Sequence, residues 1–173
     1  MADNDEAGLF GYQTSFVNVE KVLQPLFLGK MQKRANTSTN ENVFQVVNEI
    51  YDTTIFDPTN SPGCYLVAAY NGLLQQLRDI ESQFNISCNR PLELSQFVAL
   101  VGNGLTANLT RLGLTFVHTK ELCRLGLLSF ESIKDIYDEL NVTIGDQLLE
   151  DWADYISPRE RSQYFSLTSS KVR

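Results

Sequence analysis

The chain has few of the residues on which enzyme centres and extracellular frameworks depend. Its 173 residues include three cysteines and a single histidine. The cysteines, Cys64, Cys88 and Cys123, are odd in number and widely spaced, which excludes a disulfide framework and a C-x-x-C metal site. Because His118 stands alone, the two-histidine zinc motifs are excluded as well. We therefore expect reduced thiols, no metal and no cofactor.

Long hydrophobic runs and an excess of positive charge are also missing. No apolar stretch approaches the roughly 20 residues that cross a bilayer, and the acidic start of the chain is unlike a signal peptide. The 14 basic and 21 acidic residues give a net charge of −7, which repels phosphate backbones. These absences predict a cytoplasmic protein that has no transmembrane segment and binds no nucleic acid.

The remaining composition, 43% hydrophobic and 20% charged, is that of one globular domain. Apolar residues at steps of three and four predict helices. They cover residues 12–33, 42–51, 64–84, 92–101, 105–128 and 129–140, with two more beginning at Thr143 and Ser157. We expect Pro25 to kink the first. No alternating strand pattern is found, so the predicted fold is all-α. It has seven or eight helices around the central apolar helix 105–128, with one domain over 1–165 and a flexible tail over 166–173.

No arrangement of residues predicts catalysis. Gly102-Asn103-Gly104 is an isolated G-x-G, without a predicted strand before it and without the lysine of a phosphate loop, and it reads as a turn. His118 reads as a packed helix residue rather than a general base. The acids of the segment 135–139 read as one charged helix face. The sequence therefore favours a binding protein over an enzyme.

Three local patterns resemble the Bcl-2 family of apoptosis regulators. Asn108-Leu109-Thr110-Arg111 is similar to the Asn-Trp-Gly-Arg motif at the start of that family's central helix. Trp152 follows at about the separation of the family's second tryptophan motif. The segment 77–86 resembles the Phe-x-x-Leu-x-x-x-Leu pattern that lines the family's groove. Together the patterns cover residues 77–165, and their degeneracy is typical of viral members.

The resemblance implies an inhibitor of apoptosis that holds the BH3 helix of a pro-apoptotic protein in a hydrophobic surface groove. Arg111 would bind the aspartate of the partner helix, and Asn108 would cap the central helix. The groove walls would come from seven apolar residues, Ala69, Leu73, Leu77, Ile80, Val98, Val101 and Leu105.

Two alternatives stay open. One is a viral Bcl-2-fold module that blocks innate immune signalling through its outer faces. The other is an oligomerising structural subunit, for which a homodimer is the simplest form. The family resemblance also adds a peripheral location at mitochondria as an alternative to the expected cytoplasmic one.

Overall fold

The structure is a computed structural model that describes residues 16–59, 61–129, 135–137, 139–146, 148–155 and 165–166. The α-helices are α1 (Phe16–Leu23), α2 (Gly29–Asn36), α3 (Val43–Asp52), α4 (Cys64–Phe84) and α5 (Gly104–Leu125). The strands are β1 (Ile55–Asp57), β2 (Phe97–Val101), β3 (Asn141–Ile144) and β4 (Phe165–Ser166). A π-helical turn, Gln24–Leu28, joins α1 to α2, and 3₁₀ turns cover Leu94–Gln96 and Trp152–Tyr155.

The strands form one parallel sheet of four strands in the order β3-β2-β1-β4. Ile55 of β1 is in register with Phe97 of β2, and Val98 of β2 with Asn141 of β3. Parallel neighbours require a crossover connection, which α4 supplies between β1 and β2 and α5 supplies between β2 and β3. The result is a β-α-β-α-β unit, with β4 added on the other side of β1.

The prediction of an all-α bundle is therefore wrong. Strands in a parallel sheet are buried on both faces, so they have no hydrophobic alternation and read as short apolar runs. All five residues of β2, Phe-Val-Ala-Leu-Val, are buried, although their pattern predicts part of a helix over 92–101. β3 likewise occupies the place where a helix is predicted to begin at Thr143. Periodicity alone does not separate such short apolar runs from segments of a buried helix.

Several helices are predicted correctly. α4 has the predicted bounds, and α3 and α5 agree within a few residues. The predicted kink at Pro25 is a π-helical turn through which the helix continues. Proline lacks an amide hydrogen, and a wider turn is one way for a helix to accommodate it. The helix predicted from Ser157 through Phe165 lies outside the described residues except at Phe165, which belongs to strand β4 instead. The single domain over 1–165 with its tail stays a prediction.

The two faces of the sheet carry separate apolar clusters. In the larger cluster, side chains from all five helices, α1 through α5, pack against one face of the sheet. It includes Phe27, Leu73 and Phe97. The smaller cluster holds Phe56, Val98 and Leu100 on the other face, covered by Trp152 and Tyr155. No helix in the described part of the chain is both long and apolar enough to span a membrane.

Candidate ligand site at the carboxyl edge of the sheet

The carboxyl ends of β1, β2 and β3 lie at one edge of the sheet because the strands are parallel. A polar side chain lies at or just after the end of each of these strands. Asp57 is the last residue of β1, and Asn103 and Asp146 follow two residues after β2 and β3. In open parallel α/β sheets, ligands bind in the crevice outside the carboxyl ends of the strands. This edge is therefore the candidate functional site.

Asp57 organises the loop that leads from β1 into α4. Its Oδ1 accepts hydrogen bonds from the backbone N–H and the hydroxyl of Thr59, at 2.9 and 2.5 Å. Its Oδ2 accepts a hydrogen bond from the hydroxyl of Ser61 at 2.9 Å. Burial raises the pKa of the Asp57 carboxyl, and these hydrogen bonds act against the rise. The carboxylate thus fixes the loop conformation from within.

Gly63 ends this loop in the left-handed region, with φ of 77°. A Cβ built on Gly63 would lie 2.9 Å from the Cα of Thr110, a distance that real Cβ atoms essentially never show. Thr110 is fully buried on α5, so it cannot move away. Both the dihedral angle and the close approach to α5 require glycine here.

The first turn of α4 follows Gly63 directly and has no side-chain cap among the described residues. The amide groups of a helix's first turn lack intrahelical partners, and the helix dipole makes that end favourable for anionic groups. This end of α4 lies at the carboxyl edge of the sheet, directly after the loop from β1.

The ends of β2 and β3 complete the edge. Asn103 Oδ1 accepts a hydrogen bond from the backbone N–H of Thr106 at 2.9 Å and so caps α5. The N–H of Gly145 donates to the carbonyl of Val101 at 2.9 Å, which ties the end of β3 to the end of β2. Asp146 Oδ1 accepts from the backbone N–H of Leu148 at 2.9 Å, and Leu148 itself is 92% exposed. A carboxylate thus stands beside exposed apolar surface.

A second polar cluster lies inside the helical layer. The Tyr70 hydroxyl and His118 Nδ1 form a buried hydrogen bond of 2.9 Å, so His118 is a packed helix residue, as predicted. Burial lowers the pKa of His118, against a smaller opposite effect of Glu121. Burial alone would raise the pKa of Glu121, but hydrogen bonds from Arg124 at 2.7 Å and Arg78 at 3.1 Å lower it.

The Tyr70–His118 hydrogen bond and the Arg78–Glu121 ion pair join α4 to α5 within the helical layer. The described residues contain no group of three or more His, Cys, Asp or Glu side chains that could hold a metal ion.

The apolar residues predicted to line a groove lie in three different places. The four on α4, which are Ala69, Leu73, Leu77 and Ile80, are buried in the larger core cluster. Val98 and Val101 belong to β2 and point to opposite faces of the sheet, Val98 into the smaller cluster and Val101 into the larger. Leu105 is exposed on α5. Residues on opposite sides of a sheet cannot line one channel, so the predicted groove is not formed.

Arg111 and Asn108 make contacts within the fold. The Arg111 guanidinium donates to the carbonyl of Val142 at 2.7 Å, which fastens α5 to β3. Asn108 Oδ1 accepts a hydrogen bond from the Tyr137 hydroxyl at 3.2 Å. α5 is capped by Asn103 instead of Asn108.

Sequence reasoning missed Asp57, Gly63 and Asp146. The segment 57–63, Asp-Pro-Thr-Asn-Ser-Pro-Gly, reads by itself only as a turn. The missed signal is its position, directly after the short apolar run 55–56 and directly before a long helix, which is the pattern of a strand, a loop and a crossover helix. The isolated G-x-G at residues 102–104 also has a strand immediately before it, namely β2.

Comparison with known proteins gives a structural likeness but no sequence family. No family model matches the chain, and no curated protein matches it. The fold is similar to part of the type IIL restriction-modification enzyme MmeI, solved in complex with DNA, with a TM-score of 0.66 and 19% sequence identity. The match covers 91% of this chain and 23% of the enzyme's chain. The chain therefore shares the fold of a portion of that enzyme.

This likeness corrects the functional predictions. The resemblance to the Bcl-2 family is wrong, and with it the inhibition of apoptosis, the BH3-containing partner and the Bcl-2-fold immune module. The viral origin loses its basis with the resemblance, and the homodimer stays a prediction. In the motif from Asn108 to Arg111, the two polar end residues make contacts within the fold, whereas Leu109 is 44% exposed.

Two further predictions change. The exclusion of nucleic acid relied on net charge, which averages over the whole surface, whereas the structural neighbour is a DNA complex. The expectation of a binding protein rather than an enzyme is weakened, because this fold occurs within an enzyme. The cytoplasmic location stays a prediction.

Proposed function

We propose that the chain is a nucleoside-binding α/β unit that serves a DNA restriction-modification system. The observation that carries the proposal is the edge formed by Asp57, Gly63 and Asp146 on a parallel sheet whose fold matches part of such an enzyme. Folds of this kind bind nucleotides where the first strand turns into the first crossover helix, at a tight glycine turn. Gly63 occupies that turn, and its missing side chain lets the loop lie against Thr110 of α5.

The ligand chemistry follows from the donors and acceptors at the edge. Enzymes that modify DNA by methylation take the methyl group from an adenosine-containing donor, S-adenosylmethionine. The uncapped N–H groups at the start of α4 would bind its carboxylate. Asp146 would accept a hydrogen bond from the amino group of its adenine, with Ile144 and Leu148 as apolar neighbours of the base. The proposal therefore assigns the charged tail of the ligand to the start of α4 and its base to the end of β3.

The link to DNA rests on the fold likeness and on the enzyme with which the fold is shared, since that enzyme was solved in complex with DNA. The match covers 23% of the enzyme's chain, so the activities of the whole enzyme are not assigned to this chain. To this chain we assign the binding of the nucleoside ligand.

Calorimetric titration with S-adenosylmethionine and S-adenosylhomocysteine tests the proposal. We expect saturable binding of both, weakened about tenfold by Asp146→Asn, which keeps an acceptor for the Leu148 N–H but loses the charge. The matched control is Asp79→Asn, an exposed acid on α4 that pairs with Gln75 and is far along the helix from the edge. Absence of binding to the folded wild-type chain, or equal weakening by both variants, would refute the proposal.

A further inference from the structure

One face of α5 carries large apolar side chains that the fold leaves exposed. Leu105 is 57% exposed, Leu109 44%, Leu112 63% and Phe116 70%. Successive members are four, three and four residues apart, so these four residues form a single line along the helix, here called the α5 stripe. A contiguous apolar surface of this kind marks an interaction site.

The α5 stripe lies in a part of the chain that has very little charge. No acidic residue occurs from residue 94 to residue 120, although the whole chain has a net charge of −7. From Gly104 to Val117 the one charged residue is Arg111, whose guanidinium donates to the carbonyl of Val142 at 2.7 Å. Two copies of an acidic chain repel each other, and the repulsion is weakest where neither copy carries acidic side chains. The α5 stripe is therefore a surface through which a second copy of this chain can approach.

We propose that the α5 stripe is a homodimer interface, in which the α5 helices of two copies pack antiparallel about a two-fold axis. The spacing of four, three and four residues is the same in both chain directions. With the axis between residues 110 and 111, Leu105 lies opposite Phe116 of the partner subunit, and Leu109 lies opposite Leu112 of the partner subunit. Every member of the stripe then has an apolar partner, and both copies use the same surface, as an isologous contact requires.

The size of the contact sets its strength. From its first to its last residue the stripe spans about 17 Å, at 1.5 Å per residue. Stable interfaces bury about 800 Å² on each partner. Even at the roughly 250 Å² of a large aromatic residue, four side chains exposed by 44–70% present less than this area. We therefore expect a weak, reversible dimer with a dissociation constant of about 10–100 μM.

Sedimentation velocity at protein concentrations of about 2–200 μM tests the proposal. The wild-type chain should change from monomer to dimer across this range. Leu109→Glu would bury a charge against an apolar partner and should weaken dimerisation by about a hundredfold or more. The matched control is Phe44→Glu, because Phe44 is 55% exposed on α3, outside the stripe, and its replacement should leave dimerisation unchanged. Circular dichroism verifies that each variant is folded.

A mixing experiment tests the antiparallel pairing itself. Leu112→Lys should also be monomeric when measured alone. An equimolar mixture of Leu109→Glu and Leu112→Lys should form a dimer again, because the introduced carboxylate and ammonium face each other across the two-fold axis. In a parallel pair each position would face its own copy, and the mixture would not be rescued.

Three results would overturn the proposal. A wild-type chain that stays monomeric at about 200 μM would leave the stripe to a different protein. Equal weakening by Leu109→Glu and Phe44→Glu would place the dimer contact elsewhere. A mixture that stays monomeric would contradict the antiparallel pairing. None of these measurements involves a nucleoside, so this inference and the proposed function stand or fail separately.

Discussion

Replacing Gly63 by alanine should destabilise the fold by about 2–5 kcal/mol. The left-handed backbone, with φ of 77°, costs an alanine about 1–2 kcal/mol. The added Cβ would meet the Cα of Thr110 at 2.9 Å and its Cγ2 at 3.1 Å, and overpacking of this kind costs about 1–3 kcal/mol. The two costs add because one concerns the dihedral angle and the other the contact with α5.

Gly126→Ala is the matched control. Gly126 also has a positive φ, of 70°, but a Cβ there would have no atom within 4 Å. The control should therefore lose only about 1–2 kcal/mol from the backbone cost. Urea unfolding followed by circular dichroism gives the free energy of unfolding of both variants. The comparison requires that their m-values, the slopes of unfolding free energy against urea concentration, agree. Adding Thr110→Ser to Gly63→Ala removes the Cγ2 contact and should recover part of the loss.

Equal destabilisation by Gly63→Ala and Gly126→Ala would refute the reasoning. It would mean that the loop after β1 does not lie against α5 at this distance. The geometry described for the candidate site would then be wrong. A loss larger for Gly63→Ala by about 1–3 kcal/mol supports the contact.

Three further predictions concern the layers on either side of the sheet. Tyr70→Phe should lower the free energy of unfolding by about 1–2 kcal/mol, because it leaves a buried nitrogen of His118 without its partner, whereas Tyr137→Phe at an exposed hydroxyl should have little effect. Burial lowers the pKa of His118 from 6.5, so the unfolded chain takes up the proton first; stability should fall as the pH drops below about 6.5, and His118→Gln should flatten that part of the profile. Phe56→Ala should cost about 3–5 kcal/mol in chemical unfolding because Phe56 is fully buried, and Phe44→Ala, at a residue 55% exposed, should cost far less.

The helices could be predicted from the sequence because they carry the strongest periodic signal. α4 spans 21 residues with its apolar positions on one side, so its bounds can be read directly from the pattern. β1 has only three residues and β2 five, all buried, and runs this short are equally compatible with a helix. The error in fold class arises at these two strands.

The candidate site could not be predicted once the strands were missed. Asp57 and Gly63 indicate a ligand site only because they lie between a strand and a crossover helix. As single residues they indicate only a turn. Arg111 stands out in the sequence as a charge near the start of an apolar helix, yet its guanidinium donates to a backbone carbonyl of β3. A hydrogen bond between a side chain and a backbone carbonyl 31 residues away leaves no local signal in the sequence.

The most direct test of nucleoside binding at the carboxyl edge is an amide chemical-shift titration of the isotope-labelled chain with S-adenosylmethionine. We expect saturable shifts concentrated at the start of α4 after Gly63, at residues 102–103 and at residues 145–146. Shifts that do not saturate would contradict nucleoside binding at this edge. So would shifts that concentrate elsewhere, for example in the cleft lined by Glu20 of α1, Asn71 of α4 and Lys120 of α5.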